Sequence, residues 1–225
     1  MTSAHVRTRA GAESRILHPL PSWGSATAGS RLVRLYVASR RVPVALGALV
    51  ACSLVLRGAL EWHWIPSGGP LTQQLPVLLE AGTASVIALT TYSPFGEPER
   101  ATGRWLPYLR FGTAGALTGI AVGLLSAAAA SAHLPGGALD VVRNVAGITG
   151  IGLISAAVVG GGLAWIGPIA YLVLSEDAIL NAWQAPWAWP AMQSHDAGAA
   201  LCATLAFVTG AAIITARGPL ERAAE

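Results

Sequence analysis

Six stretches of this chain are apolar over lengths close to the thickness of a bilayer's hydrocarbon, and few folds other than a membrane bundle tolerate that pattern. A helix needs about 20 apolar residues to cross. The stretches are 42–60, 75–91, 111–133, 139–159, 165–174 and 197–216. The fifth is short, because Ser175, Glu176 and Asp177 follow Leu174. With 53% hydrophobic and 11% charged residues, a chain of 225 has more apolar sequence than one soluble core buries. The expected fold is therefore an all-α membrane protein, with six transmembrane helices over 42–217.

The charges orient that bundle. All 14 basic residues are arginine, and 12 fall in three places: seven before residue 42, three in 92–110 and two at the C-terminal end. Positively charged segments stay in the cytoplasm. Both termini and the 92–110 loop are thus expected on that side of a plasma membrane, which requires an even number of crossings and supports counting the fifth stretch. Residues 1–30 read as a flexible cytoplasmic tail. Pro19 and Pro21 interrupt what would have to be the apolar core of a signal peptide. Residues 31–41 place Arg31, Arg34 and Arg41 near one side of a helix, with Leu32, Val33, Leu35, Tyr36 and Val37 supplying apolar surface. That pattern suits either an amphipathic helix in the membrane interface or a plain juxtamembrane basic cluster. Residues 218–225 are a cytoplasmic tail.

Polar residues are scarce enough that their positions matter. Glu97, Glu99, Arg100, Arg104 and Arg110 crowd the segment from Tyr92 to Arg110, beside Phe95 and three prolines. It reads as a docking loop for a cytoplasmic partner, or as a solvated connection between helices. Glu80 falls near the middle of the second stretch, where an ionised carboxylate is costly unless paired, hydrated or protonated. Its candidate partners are Arg57 and Arg143, with Asn144 next to the latter. Such a group can line a translocation path or fix helix order as a buried ion pair. Arg57 also stands four residues before Glu61, at helical pairing distance.

Gly115, Gly119 and Gly123 recur every four residues on the third stretch, extended by Gly112 and Ala116, and predict a close helix–helix contact. Gly147 and Gly150 to Gly152 do the same on the fourth. Residues 181–196 hold Trp183, Trp187 and Trp189 between prolines. They suit an aromatic belt at headgroup depth or a short re-entrant element. The chain has no GxxxxGK[ST], HExxH or GxSxG motif. No covalent chemistry and no cofactor are expected of it, and no nucleic-acid partner. His63, His133 and His195 match no metal-ligand spacing. Cys52 and Cys202 each sit alone in an apolar run and read as small packing residues.

Six spans, a basic interfacial helix before the first, a charged loop between the second and third and an aromatic stretch between the fifth and sixth resemble the ABC-2-type permease subunits of ATP-binding-cassette exporters. Residues 93–100 and 143–153 are also similar to stretches of small actinobacterial permease-like membrane proteins. The resemblance is architectural and covers 31–217. It implies a permease subunit, working as a homodimer or with a second permease in the lipid bilayer. Coupling would run through Phe95, Glu97, Glu99, Arg100 and Arg104 to a separate ATPase chain that carries ATP and Mg. The compact outer loops and the weak fifth span depart from that plan. Two other classes compete with it: a membrane scaffold or accessory subunit using the same loop, and an ion-coupled carrier using Glu80.

Overall fold

A computed structural model describes residues 33–62, 71–92, 106–131 and 137–220, leaving aside the side chains of 71–73. The described residues are mostly helical, with no strand among them. Six main helices follow a short helical segment at 33–39: α1 Val42–Glu61, α2 Leu71–Leu89, α3 Leu106–Ser131, α4 Gly137–Val159, α5 Ile166–Leu180 and α6 Ala197–Arg217. Among the described residues, five segments are long and apolar enough to cross a membrane: Val42–Glu61, Leu106–Ser131, Gly137–Val159, Gly161–Leu180 and Ala197–Arg217. The all-α membrane fold follows, and the chain is a multi-pass membrane protein.

The lengths differ from expectation in α5 and α2, and α3 begins at Leu106, so residues 106–110 of the expected 92–110 loop are helix. The expected short span, 165–174, continues as helix to Leu180, and the 3₁₀ turn Gly161–Leu163 extends it on the other side. Polar Ser175 does not stop it, because its hydroxyl donates back to the Leu172 carbonyl at 2.9 Å. The shorter apolar helix is instead in α2, at Gln74–Leu89, which carries Pro76 in its first turns and Glu80 further in. Polar termini are tolerated near headgroup depth, so residues 175–177 near the end of α5 disturb a span less than they disturb its hydropathy.

Helix α4 is the centre of the bundle. Within its crossing window 61% of residues are buried, against 28–39% in the other four spans. It packs on α6, α2, α3 and α5. Since lipid tails are as apolar as leucine, such helices associate through close packing and hydrogen bonds. Here the glycines of α4 supply the closeness. A Cβ on Gly210 of α6 would lie 2.3 Å from the Gly150 carbonyl oxygen, and one on Gly150 would lie 2.4 Å from the Ala206 backbone. On another side of α4, a Cβ on Gly152 would stand 2.8 Å from Ala88 of α2. The expected contact through Gly115, Gly119 and Gly123 is not made among the described residues, since a Cβ at any of them meets none of these within 4 Å. The reason is rotational: α3 turns Leu117, Thr118, Ala121 and Leu125 inward and leaves Gly112, Gly119 and Gly123 on its exposed side.

One end of the bundle gathers arginines. Arg40 donates to the Thr91 carbonyl and lies 5.2 Å from the Tyr36 ring centre, tying the 33–39 helix to the end of α2. Gly218, at φ 75°, turns the chain back after α6 under the Arg110 guanidinium. The Leu220 amide then donates to the Ala156 carbonyl at 3.1 Å, covering the end of α4. A side chain at Gly218 would be strained twice, by its positive φ and by Arg110.

Candidate functional site

At the opposite end, a line of polar side chains runs from the segment between α5 and α6 into the bundle. It begins at Ser194, whose hydroxyl donates to Asp140 Oδ2 at 3.0 Å. Asp140 stands in the first turn of α4, three residues before Arg143. Residues three apart share a helix face, and Asp140 Oδ1 lies 3.0 Å from Arg143 Nη2, an ion pair without hydrogen-bond alignment. The guanidinium reaches back across the gap. Nη1 donates to the Gln193 carbonyl at 2.8 Å and Nη2 to the Met192 carbonyl at 3.3 Å. Its Nε donates to Asn144 Oδ1 at 3.4 Å, a long contact. Asn144 Nδ2 in turn donates to Glu80 Oε2 of α2 at 2.9 Å.

Burial makes this line consequential. Glu80 is 2% exposed, Asn144 4% and Arg143 6%. A polar group taken out of water costs free energy unless it keeps its hydrogen bonds, and a charge costs more. Glu80 stands about 13 Å along α2 at 1.5 Å per residue. It is therefore held by a neutral amide first and by a cation only through that amide. Arg143 is the reverse case, with an ion pair and two carbonyls sharing one fork of donors. Three separate segments, α2, α4 and residues 192–194, meet at these side chains.

The aromatic segment closes over this line. Trp189 opens the 3₁₀ turn Trp189–Ala191 and is 4% exposed. Its indole occupies the space beside Gly147, where a Cβ would fall 2.7 Å from Cζ2. Gly147 is about 15 Å from the start of α4. The turn thus drives one side chain well into the bundle, while Trp183 and Trp187 stay at the surface in an edge-to-face pair at 5.5 Å. Tyr171 of α5 stacks on Trp189 at 4.6 Å and donates to the Trp187 carbonyl at 2.8 Å. One segment thus buries one indole and leaves two exposed.

The other candidates fall elsewhere. Arg57 pairs with Glu61 at 2.7 Å on an exposed face of α1, so it is not the partner of Glu80. Phe95, Glu97, Glu99, Arg100 and Arg104, expected to form the docking loop, lie outside the described residues, as do His63 and His133. Among the described residues no three His, Cys, Asp or Glu side chains converge as metal ligands. Sequence reasoning missed the clasp between Arg143 and the carbonyls of 192–193. A backbone acceptor leaves no mark on residue type, and the available signal was the crowding of Asp140, Arg143 and Asn144 into the first turns of a span. No family model, curated protein or solved structure matches the chain.

Proposed function

We propose that this chain is a transport subunit of the membrane, and that the Glu80–Asn144–Arg143 line closes one end of its path. The observation that carries the reading is the clasp itself. Buried ionisable groups within spans are costly and tend to mark pathways, and this one joins two helices to a connecting segment through side-chain bonds that water or a solute can replace. Exchange of the Met192 and Gln193 carbonyls for another acceptor would free residues 192–193 from Arg143 without unfolding any helix. Energy for that change would come from an ABC-type ATPase bound at the 92–110 loop, with both termini cytoplasmic and a second permease copy completing the path. That part of the proposal rests on the resemblance of residues 31–217 to ABC-2-type permeases. ATP and Mg belong to the partner.

The test is co-purification from native membranes. A nucleotide-binding subunit should come down with the wild type and be depleted at least about ten-fold by Glu97→Ala with Glu99→Ala, for the loss of about 1.4 kcal/mol. If no ATPase accompanies the folded chain, the exporter assignment falls. One observation favours a second reading, an ion-coupled carrier: the hydrogen-bond partner of Glu80 is an uncharged amide, which suits a carboxyl that exchanges a proton. Proteoliposomes loaded with a pH dye would then acidify in response to a membrane potential, and Glu80→Gln would abolish the signal.

A further inference from the structure

A groove of about 340 Å³ opens at the arginine-bearing end, between α1, α2 and the turn that precedes α1. It is separate from the buried line described above and has two chemically distinct parts. Its mouth is cationic. Arg40 is 3% exposed and fixed by the Thr91 carbonyl and the Tyr36 ring, so its charge is immobile. Arg41 is exposed, and its side chain makes no hydrogen bond or ion pair among the described residues. The walls running away from the mouth are apolar: Val44 and Ala48 from α1, Val86 and Leu89 from α2. Val44 is 69% exposed and Leu89 40%, so this surface faces outward from the bundle, where a membrane helix meets acyl chains. Among the described residues no acidic side chain lines the groove.

Backbone geometry places the two arginines. The chain enters α1 through Arg41 in the left-handed region, at φ 53°, with no side chain capping the first turn and a proline within it. This bend sets the 33–39 helix at an angle to α1 and brings successive arginines to the top of the α1–α2 gap. A guanidinium presents a planar fork that matches phosphate oxygens. A cavity of this size holds a headgroup and the first part of a chain, with the remainder lying in the bilayer.

From the exposed arginine at its mouth and the apolar outward-facing walls, we infer that the groove is a binding site for one anionic glycerophospholipid, its phosphate on Arg41 and its acyl chain along Val44, Ala48 and Val86. The proposal does not depend on what the chain transports.

Native mass spectrometry of the full chain in detergent, titrated with phosphatidylglycerol or phosphatidylcholine, tests it. The wild type should hold one phosphatidylglycerol at least about five-fold more tightly than phosphatidylcholine, since one arginine near an anionic surface contributes about 1 kcal/mol. Arg41→Gln should erase the preference and Arg41→Lys should keep it, which separates charge from misfolding. Arg34→Gln, on the preceding helix and outside the groove, should change binding less than about two-fold. Ala48→Trp should exclude the lipid. Val44→Trp, at an exposed wall position, does the same if the first variant is unstable. Equal binding of the two lipids, or an equal effect of Arg34→Gln and Arg41→Gln, would overturn the site. So would full displacement of phosphatidylglycerol by inorganic phosphate, because the occupant would then be free phosphate.

Discussion

Helices α3 and α4 carry the same sequence signal and use it in opposite ways. Both space glycines at helical intervals, and both read as surfaces for close approach. On α4 the glycines are filled by neighbours: Gly150 by the backbone of α6, Gly152 by Ala88 of α2 and Gly147 by the Trp189 ring. On α3, a Cβ at Gly115, Gly119 or Gly123 would meet none of the described residues within 4 Å. The difference lies in what else each helix carries. The inward side of α4 also holds Arg143 and Asn144, which must be buried among partners, so its orientation is set by polar groups. The inward side of α3 is set by Leu117 and Leu125, both 1% exposed, and the glycines take what is left. Small residues permit approach, but larger and polar neighbours decide which face is used.

Substitutions that add volume to each glycine set bear directly on this contrast. Gly150→Val should have the largest effect, about 3 kcal/mol, because the backbone of α6 cannot move aside as a flexible side chain would. Thermal unfolding in detergent, followed by loss of the monodisperse peak, reads it; a stable Gly150→Val protein would break the α4–α6 contact as described. Asn144→Leu comes next. It removes the amide between Glu80 and Arg143 and should cost about 1–2 kcal/mol, the upper range for hydrogen bonds between membrane helices. Glu80→Gln keeps an acceptor for Asn144 and should cost less than Asn144→Leu. Unfolding by a denaturing detergent compares the two, and the reverse order would show that Asn144 is not the link. The smallest effect is expected on α3, where Gly119→Ala should leave stability unchanged or raise it by up to about 1 kcal/mol through helix propensity. A clear loss there would mean that another surface covers α3 in the membrane.

The bundle was largely legible in the sequence, because apolar length is a property of composition. Four spans begin and end within a few residues of the apolar runs that marked them. Helix α5 was harder, since a helix passes through Ser175, Glu176 and Asp177 when its hydroxyl and amide groups bond back along the chain, as Ser175 and Asn181 do here. The candidate site was legible only in part. Glu80, Arg143 and Asn144 were visible as ionisable or amide groups inside spans. Their order was not, because Arg57 and Arg143 are equally arginine and only the fold puts one on an exposed face with Glu61 and the other beneath residues 192–193. Helix rotation defeated the reading of α3, since a small-residue stripe states where a contact is possible and nothing about which partner arrives.

The α4–α6 contact has a consequence for biosynthesis. Gly150 and Gly210 are joined in space but separated by about 60 residues of chain, which take roughly 3–12 s to synthesise at 5–20 residues per second. During that interval the central helix stands in the membrane with its glycine face uncovered and its arginine without the carbonyls of 192–193. Completion of the bundle therefore waits for its last helix, and agents that shield polar spans during insertion have most to do in the seconds before α6 is made.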